Sequence, residues 1–573
     1  MSPSQVIVLA TPVFLLLIAL EYAWGRLRRR NTYQLNDAIT SIGLGMLSQI
    51  SAIFTRLLRV GIYTVVYAEV ALWRNNEFWT AWYGWLLALV FYDFCYYWLH
   101  RAGHEVGVFW AAHVVHHHSQ SFNLSTALRQ PSTGALLGWI FYLPMAVAGV
   151  PPLVFGIVSL IDLLYQFWVH TEHVGKLGWF DRWFCSPSNH RVHHAVNQRY
   201  LDRNYGGILI IWDRLFGTFQ EEDSPCIYGT RSALDSWDPL WANVEVYAGL
   251  LHDSWHARRW RDKLLVWLKP PGWRPADVAA RFPKPPFEMA KVRRYDPPMT
   301  RTIRFYSALH FLALLGGVSL LLWHGESLPL ADAAIWVGTL TAALWLGGAV
   351  MQGRVTVGEA LLIEAALLST ASAATGLLDL HHVFKPLALT VAMLWAIHRH
   401  GARRPTPAFA LLLLALAFSL AGDVFLMLSG YFIPGLLAFL CAHLAYIALF
   451  RQGQAWFPRR GALALTLAFG TGMYVVLWQG GLPPGLRLPV AAYVLVITLM
   501  AAQAIGRAQV LRGSAAWQAA LGAGCFMLSD TLLALNKFVT PLPLSALWVL
   551  ASYYVAQLLI VRGTLAEMAL SRR

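Results

Sequence analysis

An all-α fold threaded repeatedly through a membrane is what this sequence predicts. Three observations carry that expectation. Of 573 residues, 57% are hydrophobic and mean hydropathy is +0.49, too apolar for a chain whose surface meets only water. The apolar residues gather into runs of span length. Lys and Arg, whose excess gives a net charge of +14, sit in short clusters beside those runs, as membrane topology rules demand. That distribution argues against nucleic acid as a partner. Five cysteines (Cys95, Cys185, Cys226, Cys441, Cys525) are scattered without a C-x-x-C pair, so neither a disulfide framework nor a thiolate metal site is indicated.

The runs justify the fold in order. Val6 to Trp24 is followed, not preceded, by Arg26, Arg28, Arg29 and Arg30, and reads as a retained anchor with the N-terminus outside. Ala38 to Ala68, interrupted only by Arg56 and Arg59, suits an oblique span or a membrane hairpin. Trp82 to Trp98 is a further candidate span. Ala135 to Val150 and Pro152 to Val169 meet at Pro151-Pro152, where a helix cannot continue, and predict a helical hairpin dipping into the membrane. Lys176 to Gln220 is polar, aromatic and rich in Arg and His, a cap at the surface. Residues 257–304 (KPPGWRPADVAARFPKPPF within them) form a basic, Pro-rich surface segment without a span.

Phe305 to Trp323 and Ala333 to Val350 are spans. Eight more follow, at about 358–377, 384–398, 408–428, 434–450, 462–478, 488–506, 515–535 and 544–562. Arg399, Arg403 and Arg404 follow the second of these eight; Arg451, Arg459 and Arg460 the fourth; Arg507 and Arg512 the sixth; Arg562, Arg572 and Arg573 the eighth. The alternate loops hold little beyond Arg487 and Lys537. All four basic ends thus share one side, the cytoplasmic one.

The stretch from Tyr92 to His118 carries H-x-x-x-H (His100, His104) and H-x-x-H-H (His113, His116, His117). A second H-x-x-H-H stands at His190, His193 and His194. Spacings of three and four put side chains on one helix face, so each box aims its rings at a common point. A lone histidine near a membrane interface is ordinarily an amphipathic filler; repeated spacing is what distinguishes these. Neutral imidazole binds Zn, Fe, Cu and Ni, and eight nitrogens exceed what one tetrahedral zinc uses, which suits two metals. The absence of a Glu-x-x-His cage argues against a ferritin-like di-iron bundle.

Those boxes resemble the fatty acid hydroxylase and sterol desaturase superfamily. More closely, YYWLHRAGHE, HHHSQSFNLSTALRQ, FWVHTEH and SPSNHRVHHAVNQRYLDRNYGGILIIWDRLFGTF resemble the alkylglycerol monooxygenases. The basic linker and the arginines after the first anchor fall on the cytoplasmic side, and the histidine boxes next to them are expected at that face. The resemblance implies a non-haem di-iron centre, two Fe using O2 and tetrahydrobiopterin or another reductant to hydroxylate the carbon beside an ether oxygen. Its electron donor is not readable. The implied ligands are His100, His104, His113, His116, His117, His190, His193 and His194, with His170 of HTEH a ninth. Glu105 and Glu172 are candidates to bridge metals or orient a ligand, against the alternative of solvated interfacial charges. His118 and His173 stand outside this set. Asn123, Arg129 and Gln130 are candidate hydrogen-bonders of substrate or pterin.

In the later spans two carboxylates stand out, Asp423 in FSLAGDVFLMLSG and Asp530 in GAGCFMLSDTLLALNKF. An ionisable group inside a span costs several kcal/mol and marks function by default; hydrogen-bonded packing and ion transport are the competing readings. With helices running outward from the cytoplasmic side, both lie toward the non-cytoplasmic half. FKPLAL at Phe384, AGDVFLML and SDTLLALNKF resemble the YhhN-type lysoplasmalogenase family, which implies Asp423 and Asp530 as a catalytic pair for vinyl ether hydrolysis. The expected organisation is a histidine-box membrane domain over residues 1–354 and a YhhN-like bundle over 355–573. Its expected substrates are alkylglycerols and lysoplasmalogens, both cleaved to fatty aldehyde. The alternative keeps the metal site as a sterol or fatty acyl hydroxylase or desaturase, fused to a transport or lipid-binding bundle.

Overall fold

The structure, a computed structural model, describes residues 2–401 and 405–570, without the side chains of residues 3, 56, 57 and 59. Arg403, Arg404, Arg572 and Arg573, and the side chains of Arg56 and Arg59, therefore lie outside the described residues. Among the described residues there is helix and loop but no strand, only the isolated bridges Phe184–Leu209 and Ala195–Tyr228. Twelve helices there are long and apolar enough to cross a membrane; the protein is a multi-pass membrane protein. Backbone contacts divide the chain into two units, Met1–Leu328 with Leu340–Arg354, and Pro329–Thr339 with Val355–Arg573.

The first unit begins with α1 (Pro3–Leu27), whose capping box pairs Ser2 with Gln5. Next comes α2 (Leu35–Val70), one continuous helix of 36 residues. Of the two expectations for this stretch, the single helix holds and the hairpin does not: no Gly-Pro break interrupts it, and at 1.5 Å per residue the helix outreaches a hydrocarbon core of about 30 Å. Its stretch Leu35–Thr55 is long and apolar enough to span, and Val60–Val70 is apolar as well. α3 (Trp82–Glu105) and α4 (Gly107–His117) follow. The stretch expected to span at Trp82–Trp98 is helical, yet is not among the twelve, because Trp and Tyr suit an interface and Asp93 is buried within it. α5 (Leu124–Ala127) is one turn. α6 (Leu143–Ala148) stops at Gly149, whose φ of 95° is left-handed; Pro152 opens α7 (Pro152–Trp168).

The cap holds α8 (Pro187–His193) and α9 (Ile211–Leu215). α10 (Pro239–His256), α11 (Trp260–Leu268) and α12 (Ala276–Arg281) follow, so the basic segment contains helices that its prolines had masked. Arg274 grips Asp253 with Nε and Nη2 at 2.6 and 2.9 Å. α13 (Arg301–His324) and α14 (Leu330–Met351) complete the run. Glu21 of α1, buried, accepts from Thr171 Oγ1 at 2.5 Å, from the Leu124 N–H at 2.8 Å, and from Tyr33. One carboxylate thereby ties a span to the loop after α7.

The second unit contains the eight expected helices: α15 (Val357–Ala374), α16 (Leu378–His400), α17 (Pro407–Met427), α18 (Phe432–Arg451), α19 (Arg460–Gln479), α20 (Arg487–Leu511), α21 (Ser514–Phe538) and α22 (Ser545–Leu570). Lipid is as apolar as a core, so close backbone approach supplies the attraction between them. Gly522 of α21 lies where a Cβ would meet Ala556 O of α22 at 2.8 Å, and Gly563 of α22 where one would meet Ala515 O at 2.6 Å. Leu412, Leu416, Tyr446, Phe526 and Ile560 fill the centre.

Candidate metal centre and a buried carboxylate cavity

Four segments deliver the histidines. α3 presents His100 and His104 one turn apart. The chain then bends at Val106, and the Gly107 N–H bonds to Lys269 O at 2.9 Å. A Cβ at Gly107 would meet Val266 O at 2.9 Å, so α4 can leave this corner only from a glycine. α4 carries His113, His116 and His117; α8, capped by Ser186, carries His190 and His193, with His194 at its C-cap; His170 follows α7. The rings sort into two groups. His100, His104, His113, His117 and His193 form one, and His116, His170, His190 and His194 the other, with ligand atoms in each group within 4.8 Å of one another. All nine are buried except His113, which is half-buried.

Proton accounting shows what the groups suit. His116 Nδ1 is 2.9 Å from Arg129 O, and His170 Nδ1 is 2.7 Å from Gln166 O. A carbonyl only accepts, so each ring carries its proton on Nδ1. Their Nε2 atoms, 3.1 Å apart, are then two bare lone pairs facing each other. His100 Nδ1 donates likewise to Tyr205 O at 2.8 Å and His193 Nδ1 to Arg203 O at 3.1 Å. Further Nε2 pairs stand at 3.1 Å (His100–His113), 3.0 Å (His117–His113), 3.0 Å (His190–His170) and 3.2 Å (His194–His190). Two nitrogens about 2.1 Å from one ion and at right angles stand about 3.0 Å apart. A cation in each group would turn the His116–His170 repulsion and the other close Nε2 approaches into ligation.

Burial strengthens the case. It holds His113, His117, His170, His190, His193 and His194 well below the ordinary imidazole range, and neighbouring imidazoles press the same way. His116 is pushed down to about 4 by the same desolvation. Neutral rings are the metal-binding form.

The carbonyl acceptors are themselves fixed. Asp213 accepts from the Tyr205 and Gly206 N–H groups, each at 2.8 Å, and from Thr218 Oγ1 at 2.6 Å. Asp93 accepts from the Ile208 N–H at 2.7 Å, the Leu209 N–H at 3.0 Å and Trp212 Nε1 at 2.8 Å. Two buried carboxylates thus clamp the loop that steers His100. Sequence reasoning missed both; an Asp inside the apolar run of α3 was the available signal.

Both candidate glutamates fall outside the groups. Glu105 accepts from Arg101 Nε at 2.9 Å and Glu172 from Arg30 Nη2 at 3.3 Å. Glu105 follows His104 directly, and adjacent helix residues do not share a face. Asn123 caps α5, accepting from the Ser125 N–H at 3.0 Å; buried Arg129 donates to Val115 O at 2.8 Å; Gln130 donates to Ala127 O at 3.0 Å. These three serve the fold. His118 and His173 belong to neither group.

In the second unit Asp423 and Asp530 line one cavity of about 400 Å³. Asp423 Oδ2 accepts from the Tyr553 hydroxyl at 2.6 Å, and its Oδ1 is 3.6 Å from Lys385 Nζ. Asp530 Oδ2 accepts from the Tyr493 hydroxyl at 2.5 Å, and His443 Nε2 is 2.9 Å from that hydroxyl. The remaining wall is largely apolar, with Phe469, Met473, Val494, Ile497 and Leu550.

Comparison with known proteins divides the chain in the same two places. Residues 85–218 match the fatty acid hydroxylase family and residues 380–564 the YhhN family. Alkylglycerol monooxygenase of Danio rerio is 38% identical over 316 residues, covering 53% of this chain and 68% of the relative. The Homo sapiens enzyme of that name is 35% identical over 309 residues, with the same coverage. Lysoplasmalogenase TMEM86B of Homo sapiens is 38% identical over 151 residues, 26% of this chain and 62% of the relative. No solved structure matches.

Proposed function

Because the chain belongs to the alkylglycerol monooxygenase family, we propose that it is a bifunctional enzyme of ether-lipid breakdown. Residues 1–354 cleave alkylglycerols and residues 355–573 cleave lysoplasmalogens. The observation that carries the first half is the pair of histidine groups, in which the bare Nε2 atoms of His116 and His170 face each other at 3.1 Å and further Nε2 pairs stand at 3.0–3.2 Å. We assign one iron to His100, His104, His113, His117 and His193, and a second to His116, His170, His190 and His194. Bound there, the irons supply activation of O2 for insertion of one oxygen atom beside the ether oxygen. In balance, R–CH2–O–R′ with O2, two electrons and two protons gives R–CH(OH)–O–R′ and water. That hemiacetal separates into aldehyde and alcohol.

The chain's own residues hold the donor atoms and keep the site dry. The carbonyls of Arg129, Gln166, Arg203 and Tyr205 point the rings of His116, His170, His193 and His100 inward. His113, the half-buried ring, marks the side open to substrate. A reductant, tetrahydrobiopterin or another two-electron donor, completes the stoichiometry. Arg30, in the basic cluster after α1, pairs with Glu172 beside His170; that supports a cytoplasmic position for the site.

In the second half one carboxyl of the Asp423–Asp530 pair delivers a proton to the vinyl carbon, and the other draws a proton from attacking water. The double bond is consumed, water's oxygen joins the carbon bearing the ether oxygen, and the hemiacetal opens to fatty aldehyde and a glycerophospho-base. Purified protein in detergent, given alkylglycerol with O2 and reduced pterin, or lysoplasmalogen alone, is expected to release fatty aldehyde from each. Elemental analysis is expected to find about two irons per chain. A single zinc, or ether cleavage that persists in His113→Ala, overturns the first assignment; vinyl ether hydrolysis that persists in both Asp423→Asn and Asp530→Asn overturns the second.

A further inference from the structure

Lys385 and Lys537 both line the cavity of the second unit, and they differ in what they already hold. Lys385 is buried, 3.6 Å from Asp423. Lys537 is exposed at the end of α21, with Nζ 4.4 Å from the centre of the Phe432 ring and 6.0 Å from that of Phe538. No carboxylate pairs with it among the described residues. A cation at the mouth of an apolar cavity, resting on rings, is available to an anion.

Its spacing says where that anion sits. Lys537 lies seven residues beyond Asp530 on the same helix, almost two full turns, so both project from one face about 10 Å apart along the axis. In a glycerolipid with a vinyl ether at one end of the glycerol and a phosphate at the other, about six bonds, roughly 7 Å, separate the reacting carbon from phosphorus. A phosphate oxygen reaching a lysine nitrogen adds about 2.8 Å. With the vinyl ether at Asp530, the phosphate arrives at Lys537.

Resting on the vinyl ether hydrolase reading of this half, we propose that Lys537 binds the substrate's phosphodiester and makes the cavity select phosphate-bearing alkenyl lipids over neutral alkenylglycerols. The apolar wall of Phe469, Met473, Val494 and Ile497 takes the hydrocarbon chain.

The test measures kcat/KM for a lysoplasmenyl-ethanolamine and for an alkenylglycerol of the same chain, in the full-length protein, Lys537→Gln and Lys537→Arg. Wild type is expected to favour the phosphorylated lipid at least tenfold, mainly through KM. Lys537→Gln is expected to shrink that ratio towards one, and Lys537→Arg to preserve most of it. Glycerophosphoethanolamine is expected to compete with substrate in wild type and to lose that inhibition in Lys537→Gln. Equal losses on both substrates, or an unchanged ratio in Lys537→Gln, overturn the assignment while leaving the hydrolase reading intact. A wild type that releases aldehyde from neither substrate sinks the hydrolase reading, and the assignment with it.

Discussion

In the histidine site, ring orientation comes from the main chain: the carbonyls of Arg129, Gln166, Arg203 and Tyr205 each take an Nδ1 proton. In the cavity of the second unit it comes from side chains: the hydroxyls of Tyr493 and Tyr553 donate to Asp530 and Asp423. The first arrangement presents uncharged lone pairs and is incomplete without a cation. The second presents carboxylates that already have donors and is complete as it stands. In the proposed roles, the metal site rests on backbone carbonyls, whereas the acid–base pair rests on partners that tolerate a proton arriving or leaving.

The largest effects should come from breaking that difference directly. His170→Ala removes one of four rings from its group, and so is expected to drop bound iron from about two to about one per chain and alkylglycerol cleavage to background. Vinyl ether hydrolysis should persist. Iron by elemental analysis, and aldehyde released from each lipid, decide the matter; equal loss of both activities would mean that the halves do not work independently. Asp423→Asn or Asp530→Asn is the mirror image. Each keeps the shape and forfeits the exchangeable proton, so hydrolysis should fall ~10²–10⁴-fold with iron content unchanged.

The contrast also explains what was legible beforehand. His113, His116 and His117 announce themselves because a helix converts spacings of three and four into a shared face. Eight apolar runs translate directly into α15 to α22, since length and composition alone decide a span. Asp423 and Asp530 are visible for their expense inside a span. Their partners are not: Tyr553 lies 130 residues from Asp423, and nothing local pairs them. Tyr205 supplies a carbonyl, a group every residue has, so its role leaves no mark on the sequence. Asp213 is invisible for a related reason, as it satisfies backbone N–H groups of a loop whose path only the fold sets; Asp93, an acid inside the apolar run of α3, carries the same signal as Asp423 but not its role. Glu105 and Glu172 stand close to histidines in sequence, but in the fold Arg101 and Arg30 hold them outside the two groups.

A smaller effect tests whether main-chain steering matters. Asp213→Asn replaces an acceptor of three hydrogen bonds with an amide that has only one oxygen to offer. The Tyr205 carbonyl then loses its fixed position, and iron affinity should fall about 10- to 100-fold, the range for groups that act through a ligand. Titration with iron, followed by metal retention on dialysis, reads this without any turnover. Unaltered retention would mean that His100 is positioned by packing alone.

The smallest effect belongs to the tyrosine side of the comparison. Tyr493→Phe deletes the hydroxyl that donates to Asp530 at 2.5 Å and touches His443 at 2.9 Å, while keeping the ring that packs in the cavity wall. A hydrogen bond to a charged group is worth about 1.5–3 kcal/mol, but His443 Nε2, 3.5 Å from Asp530, stands ready to move in as a substitute donor. Hydrolysis should therefore fall only about tenfold, less than 2 kcal/mol, and the double variant Tyr493→Phe with His443→Ala should fall by more than the product of the single losses. Strict multiplication of the two losses would show that Tyr493 and His443 serve Asp530 separately, and that this carboxyl, unlike the steered rings of the histidine site, has no network behind it.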